Sequence, residues 1–112
     1  MSRGIERYRD FWPFYLREHR RPLTRLIHVL GTGAGLLLLL VGLATASWWL
    51  LPAALVCGYA FAWISHLTVE RNRPATFTYP LWSFASDLRM FLLFCAGRLE
   101  TELRRHGIAP AE

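Results

Sequence analysis

The pattern of apolar and polar positions is dominated by one long uncharged segment. Residues 26–69 lie between Arg25 and Glu70 and contain no formally charged side chain. About twenty helical residues cross a bilayer core, so the segment is long enough to cross twice. A polar turn near Ser47, followed by two tryptophans, divides it. We therefore predict a helical hairpin with membrane spans at about residues 26–46 and 51–69.

Shorter elements flank the hairpin on both sides. In residues 5–18, Tyr8, Phe11, Trp12, Tyr15 and Leu16 recur at three- and four-residue steps, which predicts an amphipathic helix in the headgroup plane, aromatic side chains inward. Residues 71–80 contain two prolines and cannot form one continuous helix. Residues 81–105 are expected to form a third helix, either partly inserted, spanning, or packed on the end of the hairpin. The residues after Gly107 are expected to be mobile.

The predicted fold class is therefore all-α: an integral membrane helical hairpin with an N-terminal amphipathic helix and a C-terminal partly inserted or spanning helix. The length of 112 residues indicates a single domain, residues 1–112. A hydrophobic content of 54% and a mean hydropathy of +0.24 are too high for a soluble domain of this size. Membrane lipids are thus expected partners.

Charge placement favours one membrane topology and argues against nucleic acid as a partner. All thirteen basic residues are arginines, and they cluster before and after the apolar segment instead of following one exposed helix. Arginine-rich flanks mark cytoplasmic ends, so both ends of the hairpin are predicted to be cytoplasmic. Cys57 and Cys95 lie in apolar stretches without a CxxC pattern, which indicates reduced packing residues.

Two histidines occupy matched positions in the hairpin. His28 and His66 are equally distant along the chain from Ser47, so folding the hairpin brings both imidazoles to the same membrane depth. Polar groups in or beside a bilayer are costly, which makes such histidines candidates for a functional site. His19 lies at the end of the first predicted helix, and Glu70 follows His66 by four residues on the same helix face.

These side chains predict a metal site. Neutral imidazoles plus a carboxylate, with coordination positions left open, suit non-haem Fe(II), and the absence of sulfur ligands disfavours structural zinc. Alternatives remain for each group. A histidine can be hydrogen-bonded in a packed interior, and Asp87 can pair with Arg89 instead of approaching the metal. Glu70 can instead be neutralised by one of three arginines, Arg25, Arg71 and Arg73.

Two blocks of the sequence carry a family resemblance. Residues 14–32, FYLREHRRPLTRLIHVLGT, and residues 64–91, ISHLTVERNRPATFTYPLWSFASDLRMF, resemble the signature blocks of a family long known as a domain of unknown function. The pattern is Tyr-x₃-His-x₂-Pro-x₂-Arg-x₂-His, then His-x₃-Glu-x-Asn-x-Pro-Ala. Fungal members include an Fe(II)-dependent 2-hydroxy fatty acid dioxygenase of the endoplasmic reticulum that acts in phytosphingosine breakdown. Ser65 stands where many relatives have glycine, and Thr24 where asparagine is frequent.

The resemblance implies an activity and a site. The activity is Fe(II)-dependent α-oxidation of a 2-hydroxy fatty acid with O₂, which shortens the acyl chain by one carbon. The chain is similar to the compact bacterial members, which implies the bacterial inner membrane. The implied metal ligands are His19, His28, His66 and Glu70. Glu70 and Asp87 are the implied catalytic groups, and the substrate carboxylate is expected to pair with Arg25, Arg71 or Arg73.

Two other classes of function stay open at this point. His28 and His66 could be axial ligands of a haem in an electron carrier. The chain could also be a non-catalytic membrane adaptor whose histidines are only hydrogen-bonded. A homo-oligomer is also a possible assembly, since the small residues of the GTGAG stretch, with Gly31, Gly33 and Gly35, allow close contact between helices of different chains.

Overall fold

The computed structural model describes residues 4–108, and within that range the protein is all-helical, without a strand. The tail expected after Gly107 lies almost entirely outside these residues. Five α-helices follow one another along the chain. Their bounds are α1 Tyr8–Arg17, α2 Pro22–Thr45, α3 Leu50–Ser65, α4 Pro80–Cys95 and α5 Leu99–Arg105.

The predicted hairpin is confirmed and consists of α2 and α3. Pro22 occupies the first turn of α2, where a missing N–H is tolerated. The helix ends at Ala46, whose φ of 53° is left-handed, and the Ser47 N–H closes the turn on the Gly42 carbonyl. A π-helical turn, His66–Glu70, continues α3 without a break. Because α2 already begins at Pro22, the hairpin is longer at its N-terminal end than the span predicted from about residue 26.

Glycines let the two long helices approach closely. A Cβ added at Gly31 would stand 2.3 Å from the Cβ of Phe61, and one at Gly35 would stand 2.9 Å from the carbonyl oxygen of Ala54. Gly33 faces Phe91 of α4 instead. All three glycines of the GTGAG stretch are thus used for packing within the chain.

The outer faces of the hairpin are apolar and exposed. Pro22–Thr45 and Leu50–Glu70 are long and apolar enough to cross a membrane, and they are the two such helices among the described residues. Only 28% and 22% of their most apolar windows are buried by the protein itself. An apolar surface of this kind is rare on soluble monomers and marks contact with lipid or protein.

The remaining helices form a core below the open end of the hairpin. α1 buries Phe11, Trp12, Tyr15 and Leu16 against the protein, where they join Met90 and the apolar residues of α5. The aromatic face of α1 therefore packs on the polypeptide, which differs from the headgroup-plane position expected from its amphipathic pattern. Pro13 is accommodated in the second turn of the helix.

The predicted third helix is in fact two helices. Gly97 adopts a φ of 71° after Cys95, and this left-handed residue ends α4 and lets α5 turn back toward α1. α4 contacts α2 and α1 and is not among the helices long and apolar enough to span. Of the three placements expected for residues 81–105, a span is not supported, because α4 packs along α2 with Phe91 against Gly33, and partial insertion stays a prediction. The 71–80 connection contains only a short 3₁₀ turn, Ala75–Phe77.

Candidate metal centre

Three buried histidines meet where α1, α2 and α3 come together. One ring nitrogen from each of His19, His28 and His66 lies within 4.8 Å of the corresponding atoms of the other two. The ring centroid of His19 lies 4.8 Å from that of His28 and 4.4 Å from that of His66. All three residues are at most 3% exposed. Buried imidazoles at this spacing could hold a metal ion, and three are sufficient for an open-sided site.

His19 is held by its own helix end and by Arg25. It follows the last turn of α1, and its Nδ1 lies 2.7 Å from the Tyr15 carbonyl oxygen. A carbonyl can only accept, so the Nδ1–H of His19 donates and its Nε2 carries the lone pair. The guanidinium of Arg25 donates to the carbonyls of His19 and Arg20, at 2.8 and 2.9 Å. Arg25 thereby fixes the turn that presents His19.

His66 is oriented by a chain of hydrogen bonds from the loop that follows it. Its Nδ1 lies 2.7 Å from Oδ1 of Asn72. The amide nitrogen of Asn72 donates to the backbone carbonyl and to a carboxylate oxygen of Glu18, at 3.1 and 3.2 Å. That pairing settles which end of the Asn72 amide is oxygen. His66 must therefore donate from Nδ1 and keep the lone pair on Nε2.

The two lone pairs face each other. Nε2 of His19 and Nε2 of His66 are 3.0 Å apart, and in the neutral rings neither carries a proton. Such a contact is repulsive unless a cation lies beside both nitrogens. Metal–nitrogen bonds of about 2.1 Å at right angles place two nitrogen atoms about 3.0 Å apart. The donor set and its spacing therefore fit a divalent transition metal.

His28 enters the cluster from α2 and is supported by a carboxylate. Its Nε2 lies 3.2 Å from Oδ1 of Asp87. The same oxygen accepts a hydrogen bond of 2.6 Å from the Tyr15 hydroxyl. Nδ1 of His28 is buried and has no hydrogen-bond partner among residues 4–108. A buried imidazole nitrogen without a partner is costly, and a metal ion would satisfy it.

Burial keeps the site in the protonation state that a metal needs. Desolvation lowers the pKa of His19 well below its ordinary value, and His28 and His66 nearby lower it further. Burial, followed by Asp87, raises the pKa of Tyr15 well above its usual range, so the phenol stays protonated and continues to donate. Because its pKa is lowered, the His19 imidazole is neutral and available as a ligand at neutral pH.

Glu70 lies near the cluster but points to α2. Its two carboxylate oxygens accept hydrogen bonds from the backbone N–H groups of Arg20 and Arg21, at 3.2 and 3.1 Å, and from the Thr24 hydroxyl at 2.6 Å. The metal-binding group found among residues 4–108 consists of the three histidines without Glu70. A ligand or catalytic role for Glu70 stays a prediction, and the observed contacts assign it to the N-terminal end of α2.

The three arginines predicted to bind substrate have different surroundings. Arg25 is 4% exposed, donates to backbone carbonyls, and lies 3.6 Å from Glu100. Arg71 and Arg73 are exposed on the loop after the π-helical turn, and Arg73 stacks over the ring of Phe77. Their role in binding a carboxylate stays a prediction. Asp87, expected as a pairing partner of Arg89, instead contacts His28 and Tyr15, while Arg89 lies near Trp12 and Glu102.

Sequence reasoning gave no role to three residues that build this site. Asn72 and Glu18 orient His66, and Tyr15 binds the carboxylate beside His28. All three lie inside the two sequence blocks that carry the family resemblance. Asn72 follows His66 by six residues, a spacing that matches no helical period. It reaches His66 only because Arg71, with its left-handed backbone, turns the chain back toward that ring. Their position within the blocks was the only available indication.

Together, the fold and the cluster define a class: a small helical protein with three buried histidines that could hold a metal ion. Comparison with known families narrows this class. The chain belongs to the family described as 2-hydroxy-palmitic acid dioxygenase Mpo1-like, whose pattern it matches over residues 5–99. The resemblance noted from the two blocks is thereby confirmed. No curated protein and no solved structure matches the chain significantly.

Proposed function

We propose that this protein is an Fe(II)-dependent dioxygenase that oxidises 2-hydroxy fatty acids to acids one carbon shorter. The observation that carries the proposal is the 3.0 Å approach of two histidine lone pairs, with a third buried imidazole beside them. The family description supplies the reaction type and the substrate class. The reaction balances with one O₂: the 2-hydroxy acid gives the shortened acid, CO₂ and water, and needs no other reductant.

His19, His28 and His66 are the proposed ligands. When bound, Fe(II) supplies the activation of O₂ and a site for the substrate's oxygen atoms. The hydrogen bonds from His19 to the Tyr15 carbonyl and from His66 to Asn72 fix the tautomers and aim both Nε2 atoms. Such outer contacts tune metal affinity. Only three protein ligands are assigned, which leaves positions for a bidentate substrate and oxygen.

Asp87 is the proposed catalytic carboxylate. Its Oδ1 lies within reach of His28 and is held by the Tyr15 hydroxyl. A carboxylate there can accept the proton of the substrate hydroxyl when that group approaches the cluster. The Tyr15 hydrogen bond keeps the carboxylate in one position and lowers the cost of its burial.

Arg71 and Arg73 are proposed to guide the substrate carboxylate. Both lie on the loop that begins after His66, and both are exposed, so they can meet a carboxylate at the surface of the site. Guanidinium groups suit bidentate pairing with carboxylates. Arg25 has a different proposed role, because its donors already bind the backbone of the His19 turn.

The hairpin is proposed to cross the bacterial inner membrane with both ends in the cytoplasm. The exposed apolar faces of α2 and α3 support insertion, and the exposed Trp48 and Trp49 suit the opposite interface. In this position the histidine cluster lies near the inner leaflet. The substrate can then reach the site while its tail stays among lipids.

The geometry argues against the haem alternative. A haem held by His28 and His66 would need a flat, open space between their imidazoles. Their centroids are 6.1 Å apart, but the ring of His19 lies within 4.8 Å of both and occupies that space. The same three rings favour a compact metal ion over a macrocycle.

The test uses purified full-length protein in lipid nanodiscs. After anaerobic loading with Fe(II), we expect one iron per chain, and conversion of 2-hydroxypalmitate to pentadecanoate when O₂ is admitted. His28→Ala and His66→Ala should lose both iron and turnover. His106→Ala is the matched control, because His106 lies near Glu102 on α5, away from the cluster. Wild-type protein that holds iron but converts no 2-hydroxy acid would refute the proposed function.

A further inference from the structure

An apolar groove adjoins the histidine cluster and lies between α2, α3 and α4. Its polar lining residues are Thr32, Tyr59 and Asp87. Leu39 and Leu51 form its other end with Leu55 at the outer rim, and among residues 4–108 Asp87 is the one charged residue that lines it. The groove thus has one polar end and one aliphatic end, which is the polarity of a fatty acid.

The polar end is the end beside the metal centre. Thr32 lies one helical turn beyond His28 on α2, whereas Leu39 lies about 16 Å beyond it at 1.5 Å per residue. On α3, Tyr59 lies about two turns before His66, and Leu51 lies about four turns before His66. Asp87 belongs to both features, because it lines the groove and its Oδ1 lies 3.2 Å from Nε2 of His28.

We infer that this groove binds the acyl chain of the substrate, with the carboxyl end at the histidines and the tail directed toward Leu39, Leu51 and Leu55. The inference rests on the proposed function and adds the residues that select chain length. A groove that begins at Asp87, beside His28, and ends among leucines would place the C1–C2 bond near the cluster and bury methylene groups along α2 and α3.

The groove holds part of a long chain and opens sideways for the rest. The distance along α2 from Thr32 to Leu39 is about 10 Å, shorter than an extended palmitoyl chain. Its rim residues Leu55 and Phe84 are 52% and 43% exposed on the outer surface of the helices. The tail can therefore leave through this side into surrounding lipid. Residue 39 limits how many methylene groups fit before the chain must turn outward.

The first experiment changes the far end of the groove. Leu39→Trp adds bulk there, while Leu37→Trp adds the same bulk to a residue that is 62% exposed and outside the groove. We expect Leu39→Trp to lower kcat/KM for 2-hydroxypalmitate about tenfold and to spare 2-hydroxyoctanoate, since lost methylene contacts in a pocket cost this much. Leu37→Trp should change neither. Iron content equal to wild type shows that each variant is folded.

The second experiment does not depend on turnover. Wild-type protein in phosphatidylcholine nanodiscs is photolabelled with 2-hydroxypalmitate that carries a diazirine midway along its chain, and the adducts are mapped by mass spectrometry. Labels on Leu39 or Leu51 that excess 2-hydroxypalmitate displaces would support the groove. Labels only on outward leucines, or groove labels displaced by phospholipid and not by the hydroxy acid, would overturn it.

The outcomes separate the two proposals. If wild-type protein turns over 2-hydroxypalmitate and both tryptophan variants lose activity equally for both chain lengths, the groove assignment is wrong and the dioxygenase survives. If the groove is labelled specifically but no 2-hydroxy acid is converted, the acyl site stands and the proposed chemistry fails.

Discussion

The Nε2 atoms of His19 and His66 face each other at 3.0 Å, although the other nitrogen of each ring already donates its proton. Both tautomers are fixed by acceptors that cannot donate in return, namely the Tyr15 carbonyl and the oxygen of the Asn72 amide. Two lone pairs at this distance are unfavourable in an apolar interior. A metal ion bound by both nitrogens would remove this repulsion, which is what the proposed function requires.

Asn72→Ala should weaken metal binding without removing a ligand. The change removes the acceptor of the Nδ1–H of His66, so the ring is no longer held in one orientation. The loss of such an outer contact lowers metal affinity about 10- to 100-fold. Competition with a chelator, followed by Fe(II) analysis, measures the effect. His106→Ala should retain the affinity of wild type. Equal affinity in Asn72→Ala and wild type would show that the Asn72 contact does not orient the ligand.

Tyr15→Phe should affect the His28 side of the centre. The variant removes the 2.6 Å hydrogen bond to Asp87 and keeps the aromatic packing of α1. We expect iron affinity to fall about tenfold, less than in His28→Ala, and kcat to fall with it because Asp87 is no longer held in one position. A Tyr15→Phe variant with unchanged kcat would argue against a catalytic position for Asp87.

Glu70→Gln distinguishes a ligand from a helix-end contact. If Glu70 binds the N-terminal end of α2, the variant keeps its iron and loses about 1–2 kcal/mol of stability, because a charged acceptor of backbone N–H groups becomes neutral. Denaturant unfolding and iron analysis on the same sample give both values. Glu100→Gln, which alters only an exposed carboxylate 3.6 Å from Arg25, is the control and should keep its iron and lose less stability than Glu70→Gln. Iron loss as large as in His66→Ala would make Glu70 a ligand.

Gly35→Ala should destabilise the hairpin strongly. The added Cβ would stand 2.9 Å from the backbone oxygen of Ala54, so α2 and α3 must separate, which typically costs about 1–3 kcal/mol. Gly58→Ala is the matched control on the facing helix. Its Cβ would meet nothing nearer than the Gly31 oxygen at 3.9 Å, and alanine is the better helix former by about 1 kcal/mol. Opposite shifts in Tm are expected, and equal shifts would contradict the close packing at Gly35.

Glu102 should make the contact between α1 and α5 sensitive to acid. The Trp12 indole N–H, 2.8 Å away, lowers the pKa of Glu102 below its ordinary value, helped by His106 and Arg89. A carboxylate with a lowered folded pKa stabilises above its unfolded pKa, and the contribution disappears as pH falls through the folded pKa. Wild type should therefore exceed Glu102→Gln in stability at pH 7, and the two should converge as the pH falls below the folded pKa of Glu102. A gap that is independent of pH would contradict this.

The hairpin could be predicted because its signals are local and strong. Residues 26–69 contain no charge, Ser47 and the tryptophans mark the turn, and equal spacing from that turn places His28 and His66 at one depth. His19 was predicted as a further ligand from its position at the end of the first predicted helix, and the structure brings it to the other two. Periodicity also identified the aromatic face of α1, although it could not distinguish lipid from protein as the surface that covers that face.

The remaining features depend on tertiary contacts that no periodic pattern reveals. The break at Gly97 follows from one left-handed residue inside an otherwise helical stretch, and it lets α5 cover the aromatic face of α1. The two partners of Asp87, Tyr15 and His28, come from α1 and α2. The pairing with its near neighbour Arg89, which local spacing suggested, is not observed. Four-residue spacing likewise predicted that Glu70 joins His66 at the metal, but Glu70 bonds the N-terminal end of α2, where the N–H groups of Arg20 and Arg21 and the Thr24 hydroxyl donate to it.

The π-helical turn at His66–Glu70 sets the spacing between His66 and the residues that support it. A π-helix closes its hydrogen bonds one residue later than an α-helix, so this stretch carries one residue more than regular winding needs. Deleting a residue such as Leu67 would restore α-helical winding and leave five instead of six residue steps between His66 and Asn72. The N–H of Asn72 could then no longer bond the His66 carbonyl in this turn, and the Asn72 side chain would lose the position from which it accepts from Nδ1 of His66. Backbone length at this one turn thus decides whether ligand and support meet, and a shortened relative would need different partners for its histidine.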